Sequence, residues 1–367
     1  MTRPPLAAAL IERFRLGPDR PLDDFDALAA AAFRHQFERN EPYHRYCERR
    51  ALRPADVRSW EDVPAVPTAA FKEAALICGD PRDAEAVFRT SGTTEGPERR
   101  GAHYVLDLAL YRESALANFA AYALPDGARL RMLFLAPSAR RAPDSSLSRM
   151  LDWVAAEHGA PGSDFYAGER GLETDRLLEA LREAETARTP VFLLGTAFSY
   201  VHLFDAMADR GLRLRLAEGS RVLETGGLKG RAREVTKANL YRAFEERLGV
   251  PDDFALAEYG MTEMCSQFYD QVLRDRVRGG PRGPRRLEPP AWVRTRVVDP
   301  DTLRPLRAGE TGLLRHFDLA NLDSICAIQT EDLGALVGDG FRVLGRAGGA
   351  EARGCSIAFD EWTSATR

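Results

Sequence analysis

Four short apolar runs recur through the middle of the chain, and a stretch of helical character follows each of the first three. They are RMLFLAP (Arg131–Pro137), PVFLLGT (Pro190–Thr196), SRVLETGG (Ser220–Gly227) and DFALAEYG (Asp253–Gly260). Continuous apolar runs of this length read as strands buried on both faces. The stretches after them fit helices. SSLSRMLDWVAAEHG opens on capping serines, AFSYVHLFDAMADRG follows the second run, and Leu240, Phe244 and Leu248 recur at four-residue spacing after the third. Such alternation predicts an α/β fold, with mainly parallel sheet covered by helices.

The flanks read differently. Pro21 to about Arg50 predicts helices, and Pro64 and Pro67 enforce an extended entry to a further short helix. Tyr104–Leu124 predicts one long helix. From about Pro281 the texture changes. PRGPRRLEPP reads as an exposed loop, and WVRTRVVDPDT, GETGLLRHFDL and FRVLGRAGG predict a small β subregion.

Composition removes several function classes. A formal net charge of -4 creates no field that would draw the chain to nucleic acid or to a membrane surface. No apolar run approaches the roughly 20 residues of a membrane helix, and charge follows at once on the short N-terminal apolar patch, against a signal peptide. Five cysteines with no C-x-x-C spacing argue against a disulfide framework and for a cytoplasmic chain. The six histidines form no ligand-spaced pair, so no tightly bound transition metal is expected. One bias is sharper: of 51 basic residues only Lys72, Lys229 and Lys237 are lysines. Where arginine has replaced lysine so widely, a surviving lysine is a candidate for a task that needs a compact ammonium.

Ligands of α/β sheets bind beyond the carboxyl ends of the strands. Gly195-Thr196, Thr225-Gly226-Gly227 and Tyr259-Gly260-Met261-Thr262-Glu263 all fall at such ends. Glycines there admit backbone N–H groups to a ligand, threonines add hydroxyls, and Glu263 offers the hard oxygens that Mg2+ prefers. Upstream, FRTSGTTEGPERRG (Phe88–Gly101) gathers hydroxyl residues around two glycines without forming a Walker A loop.

That stretch resembles the phosphate loop of adenylate-forming enzymes, and EYGMTE resembles their Tyr-Gly-x-Thr-Glu motif. TEDLG (Thr330–Gly334) is similar to their ribose-binding segment, and LGRAGG to the Gly-Arg at the hinge to their small domain. Together with VPAVPTAAFKEAAL, APSARRAPDSSLSRMLDW, GTAFSYVHLFD, ETGGLKGRAREV and ARGCSIAF, the pattern from about Trp60 to Phe359 resembles the acyl-protein synthetase family. To that family belongs the synthetase subunit of the bacterial luminescence fatty-acid reductase.

The resemblance implies ATP-dependent activation of a carboxylic acid as acyl-AMP, with Mg2+. The acyl group then passes to a cysteine and onward to a partner reductase or carrier protein. It places Thr90, Ser91, Gly92, Thr93, Thr94 and Gly96 in the phosphate loop, with Ser91 to Thr94 and Gly96 around the β- and γ-phosphates. Gly226 and Gly227 would lie along adenine, with Tyr259 stacked on it and Gly260 and Met261 beside it. Thr262 and Glu263 would take phosphate and Mg2+, Asp332 the ribose, and Arg346 the hinge. Cys355 would be the acyl acceptor. Phe198 and Tyr200 are candidate walls of the acyl pocket, and Cys265 is expected to pack.

Two departures from the family pattern shape the reading. Glu95 is inserted in the phosphate loop, and Glu98, Arg99 and Arg100 stand where a lysine is usual. Only 21 residues follow Arg346, so residues 1–340 are expected to form the large domain, and 341–367 a vestigial segment with Cys355. Lys229 is the preferred substitute cation, with Lys72, Arg99 and Arg100 as further candidates, and Lys237 reads as an ordinary helix residue. Two alternatives stay open: an acid–CoA ligase of the phenylacetate type, and a catalytically weakened binding subunit of a reductase complex.

Overall fold

The computed structural model describes residues 3–90, 100–168, 171–226, 236–280, 283–347, 359–360 and 362–364. The chain divides into two units. The first comprises Met1–Asn118, Met261–Gln267 and Glu288–Arg367; the second comprises Phe119–Gly260 and Phe268–Leu287.

The first unit opens with three helices, α1 (Pro5–Arg15), α2 (Phe25–Arg39) and α3 (Glu41–Arg49). The Asn40 side chain accepts from the Tyr43 N–H and so caps α3. The extended entry at the prolines is real: Val66–Pro67 pairs in parallel with Ile328–Gln329. A 3-10 turn, Thr68–Lys72, follows it. The hairpin β1 (Ala86–Arg89) and β2 (Ala102–Val105) then frames the glycine-rich stretch. Tyr104 and Val105 therefore belong to a strand, because Val87 and Ala86 pair with them, and the long helix α4 starts later, at Leu108–Ala123.

The second unit holds the parallel sheet. Its strands are β3 (Arg131–Leu135), β4 (Asp164–Phe165), β5 (Val191–Thr196), β6 (Arg221–Thr225), β7 (Ala255–Tyr259) and β8 (Phe268–Asp270). They run in the order β4-β3-β5-β6-β7-β8, parallel except for the antiparallel β7–β8 pair. Each of the four apolar runs forms one of these strands. Helices α5 (Ser146–His158), α6 (Thr174–Ala187), α7 (Ala197–Asp209) and α8 (Lys237–Leu248) stand between them in the chain. Ser145, Thr196 and Thr236 cap α5, α7 and α8 through their hydroxyls, each accepting an N–H three residues on. Leu177, Leu181, Leu203, Leu240, Phe244 and Leu248 pack on Leu193 and Val222, which buries the sheet beneath the helices.

The last part of the first unit is antiparallel: β9 (Val293–Val298), β10 (Gly312–Asp318), β11 (Ala327–Val337) and β12 (Gly340–Arg346). Three of these match the expected β subregion. The fourth, β11, is the longest and runs through the Thr330–Gly334 motif; it carries charged residues that hide a strand pattern. PRGPRRLEPP is likewise not all loop, since Leu287–Glu288 is a short strand.

Two strand-end expectations change. Thr196 spends its hydroxyl on capping α7. At Gly195 a Cβ would stand 2.7 Å from the Cβ of Leu135 on the neighbouring strand, so packing between strands requires glycine there. Gly195→Ala is expected to destabilise the protein by about 1–3 kcal/mol through overpacking. Urea denaturation reads this directly, and an unchanged midpoint would mean that β3 and β5 separate without cost.

Candidate active site

In the second unit, β6 and β7 end side by side, with Thr225 registered against Glu258. The Thr225 hydroxyl donates to the Glu258 carboxylate. Glu258 is buried, and that burial, with the charge of Glu224 adding to it, raises its pKa to about 7. Beyond Thr225 the chain turns at Gly226 with φ +75°, a left-handed conformation that favours glycine, with open space around it. Tyr259 ends β7, half-exposed, its ring 5.7 Å from that of Phe268. Tyr200 is not a pocket wall. It is fully buried, its hydroxyl lies 2.9 and 3.0 Å from the Leu193 and Leu223 carbonyls, and its ring packs on Phe244. Phe198, two residues earlier, is exposed.

In the first unit, the segment Met261–Gln267 is largely buried and irregular, so its backbone groups need partners other than water. Buried side chains from two distant places in the chain supply them. His103 on β2 donates from Nδ1 to the Thr262 carbonyl at 2.7 Å. Burial lowers the pKa of His103 to about 4, so the imidazole is neutral with its proton on Nδ1. Asn321 donates through Nδ2 to the Glu263 carbonyl at 2.8 Å and to the Ile325 carbonyl at 2.7 Å. Asp318, at the end of β10, accepts from the Cys265 N–H and the Ser266 hydroxyl at 3.0 and 2.7 Å. Burial raises Asp318 to about 6 despite these bonds. Cys265 is buried, as expected of a packing residue.

This clamp fixes Glu263. Its carboxyl is buried and raised to about 7, first by burial; Arg346 pulls the value down, while Asp332 and Glu331 push it up. Asp332 and Arg346 face each other across β11 and β12 and form an ion pair at 3.5 Å. Three residues singled out from separate motifs thus share one electrostatic neighbourhood. Among the described residues no three His, Cys, Asp or Glu side chains converge as a metal cage. A buried carboxylate beside further negative charge nonetheless suits Mg2+, which commonly takes one or two carboxylates and completes its shell with substrate phosphate and water.

The two ends of the glycine-rich stretch are also defined. The Thr90 N–H donates to the Gly101 carbonyl at 3.0 Å, and the Gly101 N–H to the Thr90 hydroxyl at 2.9 Å. Arg100 donates to the Arg89 and Thr90 carbonyls, so at least part of its guanidinium holds these ends. Lys72 is exposed at the end of its 3-10 turn. Ser91, Gly92, Thr93, Thr94, Gly96, Arg99, Gly227, Lys229 and Cys355 lie outside the described residues. His103, Asn321 and Asp318 carry no local sequence signature, since their partners are up to 159 residues away.

Comparisons with known proteins identify the family and the fold. The family model described as acyl-protein synthetase, LuxE, matches residues 161–363. The long-chain-fatty-acid–luciferin-component ligase of Aliivibrio fischeri is 22% identical over 321 residues, covering 84% of this chain and 78% of the relative. The ligase of the same name from Vibrio harveyi is 20% identical over 314 residues, with the same coverage. Among solved structures, an open conformation of 2-hydroxyisobutyryl-CoA ligase in complex with 2-HIB-AMP and CoA gives a TM-score of 0.62 at 18% identity. It covers 90% of this chain and 77% of that one. ATP-bound MatB from Rhodopseudomonas palustris gives 0.50 at 19% identity over 74% of this chain. The chain spans about half the length of MatB, at 49%. These likenesses show the fold of adenylate-forming ligases.

Glu258, Glu263 and Asp318 all hold protons more tightly in the native state than an unfolded chain would. Raising the pH through about 6 to 7 therefore releases protons that the native state had kept, and stability falls. Without divalent cations, urea denaturation should show stability declining between pH 5 and 8. Glu263→Gln should make that decline shallower, and equal slopes in the two proteins would contradict the assignment.

Proposed function

The chain belongs to the acyl-protein synthetase LuxE family, and on that premise we propose that it activates a carboxylic acid with ATP and transfers the acyl group to a protein thiol. The observation that carries the reading is the convergence of Glu263, Asp332 and Arg346, each from a different motif of the resemblance.

In the first step a carboxylate oxygen of the acid attacks the α-phosphorus of ATP. The bond from that phosphorus to the bridging oxygen breaks, and pyrophosphate leaves with acyl-AMP remaining. Gly226 and Gly227 would lie along the adenine, with Tyr259 stacked on it and Gly260 and Met261 beside it, Asp332 would hold the ribose, and Ser91 to Thr94 with Gly96 the β- and γ-phosphates. Thr262 and Glu263 would bind phosphate and Mg2+, which supplies charge neutralisation as pyrophosphate departs. Glu263 would act as the carboxylate, having lost its proton when the cation arrives. Lys229 is the proposed cation in place of the usual phosphate-loop lysine, and Arg346 marks the hinge.

In the second step the Cys355 thiolate attacks the acyl carbon. The acyl–phosphate bond breaks, AMP leaves, and a thioester forms, from which the acyl group passes to a partner reductase or carrier protein. A mixed anhydride is readily attacked by a thiolate, and Arg353, two residues away in the chain, would favour that form. In this reading residues 1–340 carry activation, and 341–367 carry the acceptor. The described residues include no helix long and apolar enough to cross a membrane.

Acid-dependent ATP–pyrophosphate exchange tests the first step, and a screen of short, aromatic and long-chain acids identifies the substrate. Intact-protein mass spectrometry tests the second. A single acyl adduct is expected on the wild type and its loss in Cys355→Ala, with exchange retained within about twofold. Free acyl-CoA formed on addition of CoA would favour an acid–CoA ligase instead, and absence of exchange with every acid would favour a binding subunit.

A further inference from the structure

Lys237 is one of only three lysines among the 51 basic residues. It occupies the first position of α8, where the positive end of the helix dipole disfavours a cation. Something must offset that placement, and the structure shows what does. The Lys237 Nζ lies 2.7 Å from Oε1 of Glu224, whose side chain is buried. The Tyr241 hydroxyl, one helical turn along α8, donates to the same oxygen at 3.1 Å, and the ammonium stands 5.8 Å from the centre of the Tyr241 ring.

Glu224 is the residue before Thr225, and Gly226 follows with its left-handed turn. The ion pair therefore ties the carboxyl end of β6 to the amino end of α8. Those are the two points from which the chain leaves and re-enters regular structure around Gly226 and Gly227. Burial raises the carboxyl of Glu224, and the Lys237 ammonium and the Tyr241 hydroxyl at this distance oppose that rise. Lys237 itself is about half-exposed, which makes the contact modest as a source of stability but specific as a tie.

We propose that Lys237 is a positioning residue for nucleotide binding: acting through Glu224, its ammonium holds the β6 end so that the Thr225–Gly226 turn is preformed for the adenine. The inference rests on the reading of that turn as adenine-binding. It gives the surviving lysine a task beyond an ordinary surface charge, and it separates affinity from chemistry, because neither residue of the pair belongs to the segments proposed to hold the phosphates.

The experiment is calorimetric titration of the full-length protein with ATP in the presence of Mg2+, beside exchange kinetics, for the wild type, Lys237→Met, Glu224→Gln and the double variant. Lys237→Met should weaken ATP binding about tenfold and leave exchange at saturating ATP within about twofold of wild type. Glu224→Gln should do the same, and the double variant should be no weaker than the weaker single, since both remove one interaction. Should Lys237→Met melt below the assay temperature, Glu224→Gln, which keeps the side-chain shape, carries the same expectation. Unchanged affinity in a folded single variant, or losses that add in the double, would overturn the inference and leave the proposed function standing. A wild-type protein that binds no ATP would overturn the proposed function itself.

Discussion

A backbone carbonyl buried away from water must find a donor inside the protein, and the irregular segment Met261–Gln267 concentrates that demand around Glu263. His103 answers for Thr262, Asn321 for Glu263, and Asp318 takes the Cys265 N–H and the Ser266 hydroxyl. These are strong, short-range obligations, because each unpaired group would cost about 1–3 kcal/mol. Meeting them leaves the segment little freedom. The carboxyl of Glu263 consequently sits in a defined, dry place and holds its proton up to about pH 7. On the proposed reading, a cation would meet this carboxyl already in place.

The second unit solves a parallel problem with charge. Three acids, Glu224, Glu258 and Asp270, are buried on or beside the ends of the parallel strands. Glu258 keeps company with the Thr225 hydroxyl, Glu224 with Lys237 and Tyr241, and Asp270 with Arg285. Buried carboxylates are costly unless so partnered, and each partner links two elements. Such links tie down the strand ends from which Gly226 and Tyr259 are proposed to meet the adenine. Gly195-Thr196, an equally suggestive pair of residue types, lies at the neighbouring strand end and is taken up by packing and helix capping.

Much of this was legible beforehand. All four apolar runs became strands, because a residue sequence that is apolar on both faces has few stable settings other than a covered sheet. The cap at Ser145 and the stripe at Leu240, Phe244 and Leu248 behaved as local rules predict. Legibility failed where identity came from pairing. Tyr104 and Val105 look helical alone but are held by Val87 and Ala86 in a hairpin, and the charged β11 is a strand because β10 and β12 flank it. Tyr200 has the chemistry of a pocket wall, yet its neighbours bury it in the core.

The sequence by itself determined the class of fold, the order of the motifs and the residue types brought to the strand ends, since periodicity, glycine content and capping chemistry are local properties. It also settled that Asp332 and Glu263 belong to motifs worth following. Only the tertiary structure decided that Glu263, Asp332 and Arg346 share one field, that His103 and Asn321 hold the backbone at Glu263, and that Lys237 answers a buried acid. The physical reason is the same in each case. Burial and partnership, which set charge state and geometry, are made by residues tens to hundreds of positions apart, and no local pattern records them.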